Sequence, residues 1–327
     1  MSGKNVKSSQ IRAIIVNGYA TATITTESLA RWAGNLTYVS YYSYGFNSNG
    51  DLVPINVDAQ IRDAYNLGVA PLMVLTPFNE AGVYSYDLLK VLFTDPVMRD
   101  RLINNIVLTV IEKNYYGVVF NLGYIAPEDK DQFIITVSKT SARLNQEGAL
   151  VIVSIAPGVN DEGIDYISLG RAANLVELRT FQWEDIYGPP TAVASVEKVQ
   201  EYLSLIITRI DSHKILMGLP NYGLDCTLPH VPGETIAEMI SNTEAVELAE
   251  RTGAVIHYDE IAHAHHYRYT DSMGSIHEVW FDDVRSTSVK LELVNQFDLA
   301  GISIWTIMNP FPVGIQLLNE MFTVYKV

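Results

Sequence analysis

The sequence predicts an α/β fold in which parallel strands close into a (β/α)8 TIM barrel. Short apolar runs alternate with amphipathic helical patterns along the chain, as in a parallel sheet with crossover helices. No glycine-rich phosphate loop follows the first run, which weakens the competing open doubly wound sheet. The length of 327 residues suits one barrel of about 250 residues with an insertion, so we interpret residues 1–327 as a single domain.

The predicted strands are apolar runs bounded by turn residues or helical patterns. In chain order they cover residues 13–16, 36–42, 70–75, 117–122, 150–156, 175–181, 215–219 and 301–305. One helix ends near Gly68, because glycine tolerates the positive φ of a helix C-terminus. Further helices are predicted at residues 98–113, 130–145, 166–171, 195–210 and 315–325.

Residues 221–300 separate the last two predicted strands and are too many for a simple loop. Strand-like pieces at residues 255–258, 266–269 and 277–281 surround a turn at residues 271–274. We predict a small α+β insertion between strands seven and eight. It would lie on the C-terminal face of the barrel, where active sites of this architecture are built, and form one wall of a groove there.

Composition excludes several function classes. A formal net charge of -15 argues against nucleic acid and against anionic membrane surfaces as partners. Cys226 is the only cysteine, so neither an intrachain disulfide nor a cysteine metal cluster can form. No run approaches the ~18 apolar residues of a membrane span, and no signal peptide is visible. We expect no cofactor and no metal, and a protein partner stays open.

Several stretches of the chain carry a family resemblance. They are residues 70–74, 100–106, 115–117, 188–193, 214–223, 277–283 and 301–305. With them the chain resembles glycoside hydrolase family 18, in the branch of the spore-germination, cortex-peptidoglycan N-acetylglucosaminidases. The resemblance covers almost the whole barrel and its insertion, without the LysM repeats that often precede such barrels. It implies a bacterial spore, cell-envelope or extracellular location.

The resemblance also indicates where catalytic acids are missing. Family 18 barrels carry Asp-x-x-Asp-x-Asp-x-Glu at the end of the fourth strand. The Glu protonates the leaving oxygen and the preceding Asp orients the substrate acetamide, which acts as the nucleophile. Aligned on its glycine, this chain has Tyr116, Val119, Asn121 and Gly123 at those positions. Asn121 can still hydrogen-bond an acetamide, but Gly123 has no side chain to donate a proton.

A second departure lies at the end of the sixth strand, where related enzymes have Met-x-Tyr-Glu. Here Arg179 replaces the methionine, Phe181 keeps the ring without its hydroxyl, and Gln182 follows. Period-two alternation points Arg179 inward with Glu177. A buried guanidinium needs a partner, so we predict a Glu177–Arg179 contact that partly fills the sugar pocket. The alternative is an Arg179 side chain that reaches solvent at the barrel mouth.

The remaining ligand candidates are inferred from the same resemblance. Trp305 ends the eighth strand, where the family has a tryptophan under the reacting sugar. Tyr222 and Asp225 match groove-lining positions after strand seven, and Trp183 follows strand six. Aromatic rings suit sugar faces and protein cores equally well, so packing roles stay open. The candidate ligand-binding set is Asn121, Phe181, Gln182, Trp183, Tyr222, Asp225 and Trp305.

Two further groups of residues bear on function. His263, His265 and His266, with His257 nearby, match no usual zinc spacing and are interpreted as solvated insertion residues. A relocated acid is an alternative, and the loop carboxylates that could serve are Glu80, Glu128, Asp161, Glu162, Glu184, Asp185 and Asp225.

The leading hypothesis is a family 18-like barrel that has lost glycosidase activity and acts as a carbohydrate-binding or structural pseudoenzyme. Its inherited ligand class is N-acetylglucosamine-containing glycan, either peptidoglycan or chitooligosaccharide. One alternative is an active family 18 hydrolase, N-acetylglucosaminidase- or chitinase-like, with a displaced acid. Another is a protein–protein interaction module that uses the top face of the barrel.

Overall fold

The N-terminal two thirds of the chain supply most of the barrel. The computed structural model describes residues 11–156, 164–181, 183 and 186–327. The strands here are β1 (Ala13–Ala20), β2 (Tyr38–Phe46), β3 (Leu52–Pro54), β4 (Ala70–Leu75), β5 (Gly117–Phe120), β6 (Leu150–Ile155), β7 (Leu175–Leu178) and β8 (Ile215–Pro220). All except β3 pair in parallel with their sheet neighbours.

The segment after β8 forms a separate five-stranded antiparallel sheet. Its strands are β9 (Gly223–Leu228), β10 (Glu238–Ile240), β11 (His257–Asp259), β12 (Ala264–Thr270) and β13 (Ile276–Phe281). Their order in the sheet is β10-β9-β13-β12-β11. The strands β12 and β13 form a hairpin around the turn predicted at residues 271–274. The boundaries of this insertion as a subdomain, residues 221–300, stay a prediction.

Strand β14 (Gly301–Trp305) closes the barrel. It pairs in parallel with β8 on one side and with β1 on the other, and β1 also pairs with β2. The predicted eight-stranded (β/α)8 barrel is therefore confirmed. Its strands are β1, β2, β4, β5, β6, β7, β8 and β14. The short strands β3 and β15 (Thr323–Val324) add edge pairings to β2 and β1.

Helices surround the barrel and cover its outer face, and one further helix lies in the insertion. They are α1 (Thr26–Ala33), α2 (Asp58–Asn66), α3 (Tyr86–Thr94), α4 (Pro96–Glu112), α5 (Lys130–Leu144), α6 (Tyr166–Ala172), α7 (Val196–Ile206), α8 (Asn242–Thr252), α9 (Val284–Gln296) and α10 (Pro312–Met321). The insertion contains α8, whose start is a capping box of Ser241 and Glu244. No helix within the described ranges is long and apolar enough to span a bilayer.

The core of the barrel has two parts because each barrel strand is buried on both faces. Alternate side chains point into the barrel, where Leu72, Val74, Val119, Ile152 and Leu216 form an interior cluster. The other face of each strand packs beneath the helices in a larger cluster. Both faces are apolar, which explains why the strands read as continuous apolar runs.

A buried ion pair fixes the end of the insertion to the barrel. Lys290 on α9 donates to Asp282 Oδ1 at 2.7 Å, and both side chains are almost fully buried. Asp282 directly follows β13, and α9 packs beside α7 and α10. The pair therefore links the insertion sheet to the helical layer of the barrel.

Candidate functional site

The exit of β5 places two of the aligned motif positions at the barrel mouth. Asn121 is buried, and its backbone N–H donates to Leu75 O at 3.0 Å, extending the β4–β5 ladder by one residue. Its side-chain amide donates to the Tyr42 hydroxyl at 3.0 Å. Asn121 is thereby held against β2.

The other two motif positions lie deeper. Val119 is fully buried in the interior cluster of the barrel. Tyr116 precedes β5 and packs against Tyr38 at the beginning of β2, with ring centroids 5.7 Å apart. Tyr116 thus lies toward the N-terminal end of the barrel, away from Asn121 and Gly123.

An aromatic floor lies beside Asn121. Trp305 lies at the end of β14. Its ring centroid is 5.3 Å from that of Tyr42, in an edge-on contact, and 5.5 Å from that of Tyr19. The peptide bond between Trp305 and Thr306 is cis. Because Tyr42 contacts both, the structure brings Asn121 and Trp305 together across the barrel mouth.

Gly123, at the position aligned with the proton donor, has a backbone conformation and surroundings that favour glycine over any residue with a side chain. Its φ of +79° is in the left-handed region, which side-chain-bearing residues rarely adopt. A Cβ placed on Gly123 would overlap the hydroxyl oxygen of Tyr84. That hydroxyl donates to the carbonyl of Leu122 and so holds the tyrosine in place. The space of an acidic side chain at this position is therefore filled from the β4–α3 loop.

A buried carboxylate on β7 collects hydroxyl donors from three other strands. Glu177 is 2% exposed. It accepts hydrogen bonds from Ser303 at 2.7 Å, Tyr19 at 2.8 Å and Ser154 at 3.1 Å. Burial raises the pKa of Glu177, and these three hydrogen bonds and the Arg179 charge partly offset that rise.

The predicted Glu177–Arg179 contact is wrong. No ion pair joins the two side chains, both of which lie within the described residues, and both Glu177 oxygens accept hydroxyls instead. The reason is local. Strand β7 ends at Leu178, and the Thr180 N–H folds back to the Leu178 carbonyl at 2.8 Å. The period-two argument that placed Arg179 beside Glu177 stops where the strand stops.

Arg179 instead lies among tyrosines at the barrel mouth. Its positive charge lowers the pKa values of Tyr42, Tyr84 and Tyr222, against the larger effect of burial, which raises all three. Arg179 is partly buried, and its Nε atom has no hydrogen-bond partner in the described parts of the chain. The guanidinium therefore sits beside the site without an ion pair there.

The wall formed after β7 and β8 is packed. Phe181 is buried and meets Tyr222 edge-on, with ring centroids 6.3 Å apart. Its ring also lies against Gly218 of β8, where a larger residue would collide with it. Phe181 and Tyr222 thus pack against each other as buried core residues.

Trp183 anchors the loop that follows. Its ring meets Tyr202 of α7 edge-on at 5.9 Å, and it is partly buried. This contact agrees with the packing alternative for Trp183. Gln182, the remaining candidate in this loop, lies outside the described residues.

Asp225 belongs to the insertion sheet and is occupied there. Its carboxylate accepts from the Tyr269 hydroxyl at 2.6 Å and lies 2.8 Å from His277 Nδ1. In register it is opposite Val279, whose side chain packs in the small core with α8. Residues opposite each other share a sheet face, so Asp225 points toward α8.

The histidines of the insertion have different partners. The Nδ1 atom of His263 lies 2.9 Å from the Tyr258 hydroxyl oxygen, and the Nδ1 atom of His265 lies 3.2 Å from Asp283 Oδ1. His266 stacks on Trp280 with centroids 4.5 Å apart. No group of three potential metal ligands occurs among the residues that the structure describes. Ring packing and single hydrogen bonds account for these side chains.

The candidate replacement acids are spread around the top of the barrel. Glu80 is exposed and accepts from Asn47 at 3.2 Å, and Glu128 is exposed in a short 3-10 turn. Asp225 is engaged in the insertion, as above. The others, Asp161, Glu162, Glu184 and Asp185, lie outside the described residues.

Three tyrosines of the site are not identified from sequence. Tyr19 and Tyr42 link Trp305 to Glu177 and Asn121, and Tyr84 fills the space at Gly123. The available signal for Tyr42 is its period-two relation to Tyr38 and Ser40 on one strand, which points all three to one face. No local pattern indicates Tyr84, because its role depends on a loop meeting a different strand.

Comparison with known proteins decides the family. The model of glycosyl hydrolases family 18 matches residues 16–309. The chain belongs to this family. It is 31% identical over 300 residues to the cortical fragment-lytic enzyme of Bacillus subtilis, covering 89% of this chain and 69% of that protein.

Solved family 18 structures share the architecture. The spore cortex-lytic enzyme SleL of Bacillus megaterium superposes with a TM-score of 0.91 at 32% identity, covering 98% of this chain and 76% of that one. A chitinase from Chromobacterium violaceum has the same fold, with a TM-score of 0.86 at 22% identity over 94% of this chain and 98% of its own. The chain is therefore a family 18 barrel in the branch of the spore cortex-lytic enzymes.

Proposed function

We propose that this family 18 barrel binds N-acetylglucosamine-containing glycan without hydrolysing it. The observation that carries the proposal is Gly123, which has a left-handed backbone and whose side-chain space is filled by Tyr84. A general acid supplies about 10²–10⁴-fold in rate, and family 18 chemistry places that acid at this position. The relatives named for lysis of cortical fragments support peptidoglycan-derived glycan as the ligand class.

Tyr84 is a poor substitute for the missing acid. Burial raises the pKa of Tyr84 to about 12. A general acid works best with a pKa near the operating pH, because it must be protonated and still release its proton readily. Tyr84 also donates its hydroxyl hydrogen to the Leu122 carbonyl, which commits that proton to the backbone.

The floor retains features suited to an acetamido sugar. Trp305 and Tyr42 present aromatic surface, and Asn121 brings an amide beside them. Both Trp305 and Tyr42 are only partly buried, so part of each ring faces the mouth. Aromatic rings pack against the CH faces of sugars, and a neutral amide can hydrogen-bond an acetamide without charge.

The proposal is tested by measuring hydrolysis and binding on the same preparation. We expect no new reducing ends from chitooligosaccharides or peptidoglycan fragments, with a ligand-dependent rise in melting temperature for at least one of them. An active family 18 enzyme provides the positive control for hydrolysis. Turnover that is abolished by mutating Glu80 or Glu128 would establish the displaced-acid alternative. Absence of binding at millimolar sugar would favour the protein-interaction alternative.

The role of the floor is tested by Trp305→Ala. Loss of the ring is expected to weaken glycan binding about tenfold, since stacking aromatic contacts contribute on the order of 1 kcal/mol beyond their burial. Tyr65→Ala is the matched control, because Tyr65 is 40% exposed and bonds to Asn114 O, just before β5 begins. Calorimetry on both variants measures the effect. Equal losses in the two variants would show that binding does not use the mouth.

A further inference from the structure

Arg179 is a cation at the mouth that forms no ion pair with any described residue. Apart from the backbone N–H bond to Ile155 O, no hydrogen bond or ion pair of Arg179 is present there, and its Nε is buried without a partner. The Nη1 and Nη2 atoms of Arg179 make no hydrogen bond to a described residue and are not buried, so they are open at the mouth and lack a protein acceptor. A guanidinium can direct several N–H groups at one anion. Such a group is suited to receive a ligand that supplies the missing acceptors.

The surroundings of Arg179 leave its charge available. Glu177 is the nearest acid on the same strand, and its two oxygens already accept three hydroxyl hydrogen bonds. The Arg179 charge lowers the pKa values of Tyr42, Tyr84 and Tyr222. Burial raises the same pKa values by more, so all three phenols stay neutral. Neutral phenol rings therefore adjoin the cation, and Glu177, whose pKa its charge lowers, is hydrogen-bonded to hydroxyls and forms no ion pair with it.

The position of Arg179 connects it to the aromatic floor. Arg179 directly follows β7, Asn121 directly follows β5 and Trp305 ends β14, so all three lie at the C-terminal end of the barrel. Tyr42, which contacts both Asn121 and Trp305, is also influenced by the Arg179 charge. Tyr84, beside Gly123, is influenced as well. A sugar that covers Trp305 and meets Asn121 would therefore place its substituents near the guanidinium.

We propose that Arg179 binds a carboxylate carried by the glycan, so that this site selects an acidic N-acetylated glycan over a neutral chitooligosaccharide. The inference rests on the proposed glycan-binding function. Arginine binds carboxylate through two parallel N–H···O bonds, and these charge-assisted bonds are the strong ones. In a chain of net charge -15, an acidic ligand needs a local cation to overcome the overall repulsion.

Peptidoglycan fragments offer that carboxylate from two sources. N-acetylmuramic acid carries a lactyl carboxylate when its peptide is absent. When a peptide is attached, the lactyl group becomes an amide and the free carboxylates lie on the peptide. Both sources present the same planar anion next to an acetamido sugar, and the experiment separates them.

The first test uses the unaltered protein and changes only the ligand. Calorimetry compares two pairs of ligands. The first pair is the disaccharide of N-acetylglucosamine and N-acetylmuramic acid and the same disaccharide with its lactyl carboxylate converted to a carboxamide. The second pair is this disaccharide bearing a dipeptide, with the peptide carboxylates either free or amidated. We expect the acid of one pair to bind about tenfold or more tightly than its amide, with the preference weakening at high salt. The pair that shows the preference identifies the source. Equal binding of acid and amide in both pairs would overturn the inference.

The second test changes the cation. Arg179→Met introduces the residue type expected at this position in related enzymes and is predicted to reduce the affinity for the acid to that for its amide. Arg179→Lys keeps the charge and is predicted to retain part of the preference. Tighter binding of neutral chitobiose by Arg179→Met would instead show that Arg179 obstructs the pocket, which contradicts the inference.

The two proposals fail in different ways. If the unaltered protein binds neither acids, amides nor chitobiose, the glycan-binding function itself is wrong. If it binds them without regard to the carboxylate, only the role of Arg179 is wrong. Should Arg179→Met fold poorly, as judged by circular dichroism, the ligand comparison on the unaltered protein still decides.

Discussion

Replacing Gly123 with alanine is expected to lower the free energy of unfolding by about 2–5 kcal/mol. The left-handed backbone of Gly123 costs a residue with a Cβ about 1–2 kcal/mol. The added methyl also overlaps the Tyr84 hydroxyl, and overpacking of this kind costs about 1–3 kcal/mol. Denaturant unfolding at constant pH measures the change.

Gly148→Ala separates the two contributions. Gly148 has a φ of +75°, close to that of Gly123, but a Cβ there would meet nothing within 4 Å. Its alanine variant should therefore show the backbone cost alone. The difference between the two variants should shrink when Tyr84→Ala is combined with Gly123→Ala. An equal loss at Gly123 and Gly148 would show that Tyr84 does not fill the site.

The same geometry predicts that restoring the acid alone does not restore hydrolysis. Gly123→Glu must adopt an unfavourable backbone and displace Tyr84, so the new carboxyl group would not reach the position of a proton donor. The other aligned positions also lack acids, since they hold Tyr116, Val119 and Asn121. Reducing-end assays on this variant are expected to remain at background.

Replacing Glu177 with leucine is expected to destabilise the barrel by about 3 kcal/mol or more. The change leaves the hydroxyls of Tyr19, Ser154 and Ser303 without their acceptor, and each buried unsatisfied group costs about 1–3 kcal/mol. The Ser303 hydroxyl accepts a hydrogen bond from Asn17 and donates its own hydrogen to Glu177, so in the variant that hydrogen would lose its acceptor. Denaturant midpoints at constant slope measure the loss.

Glu177→Gln is the matched variant, since it keeps an acceptor oxygen and the side-chain shape. It should be less destabilised than Glu177→Leu, because the hydroxyls of Tyr19 and Ser303 share one acceptor oxygen that glutamine keeps, and it should remove the pH dependence that Glu177 contributes. Burial raises the pKa of Glu177 in the folded state, so folding favours its protonated form. That contribution is fully present below the unfolded pKa and is lost as pH rises through the folded pKa.

The free energy of unfolding of the unaltered protein, relative to Glu177→Gln, should accordingly fall as pH increases above the usual glutamate range. Parallel denaturant titrations from about pH 4 to pH 8 measure this difference, and other titrating groups cancel because both proteins contain them. A difference that stays constant with pH, or grows, would contradict a raised pKa at Glu177.

Strand number and barrel class were predictable because they depend on local patterns. Runs such as residues 70–75 are apolar throughout since both faces of a barrel strand are buried, and the structure has β4 at Ala70–Leu75. Strand ends were less predictable. Residues 175–181 were expected to be extended, but β7 stops at Leu178. Nothing in residues 175–181 signals the turn at Thr180, whose hydroxyl donates to the Gly218 carbonyl of the neighbouring strand β8.

The insertion illustrates the same limit. Its hairpin at residues 271–274 follows from turn residues between strand-like pieces, and β12 and β13 lie there. The pairing of β9 with β13 joins distant segments, so local pattern could not indicate that Asp225 would be opposite Val279 and turn toward α8. Its place in the groove was therefore inferred from resemblance, whereas its hydrogen bonds lie within the insertion sheet.

Residue types and their periodicity are local properties, so the chain's sequence predicted the barrel class and the absence of acidic residues at the aligned positions, while the resemblance of several whole stretches indicated the family. Tertiary structure alone decided that Tyr84 fills the space at Gly123, that Tyr42 joins Asn121 to Trp305, and that Glu177 binds three hydroxyls. It also left Arg179 without the partner that alternation along the strand had predicted. These outcomes depend on which side chains from separate strands meet at one end of a closed barrel. Such meetings are set by the register and closure of the sheet, which no single stretch of sequence contains.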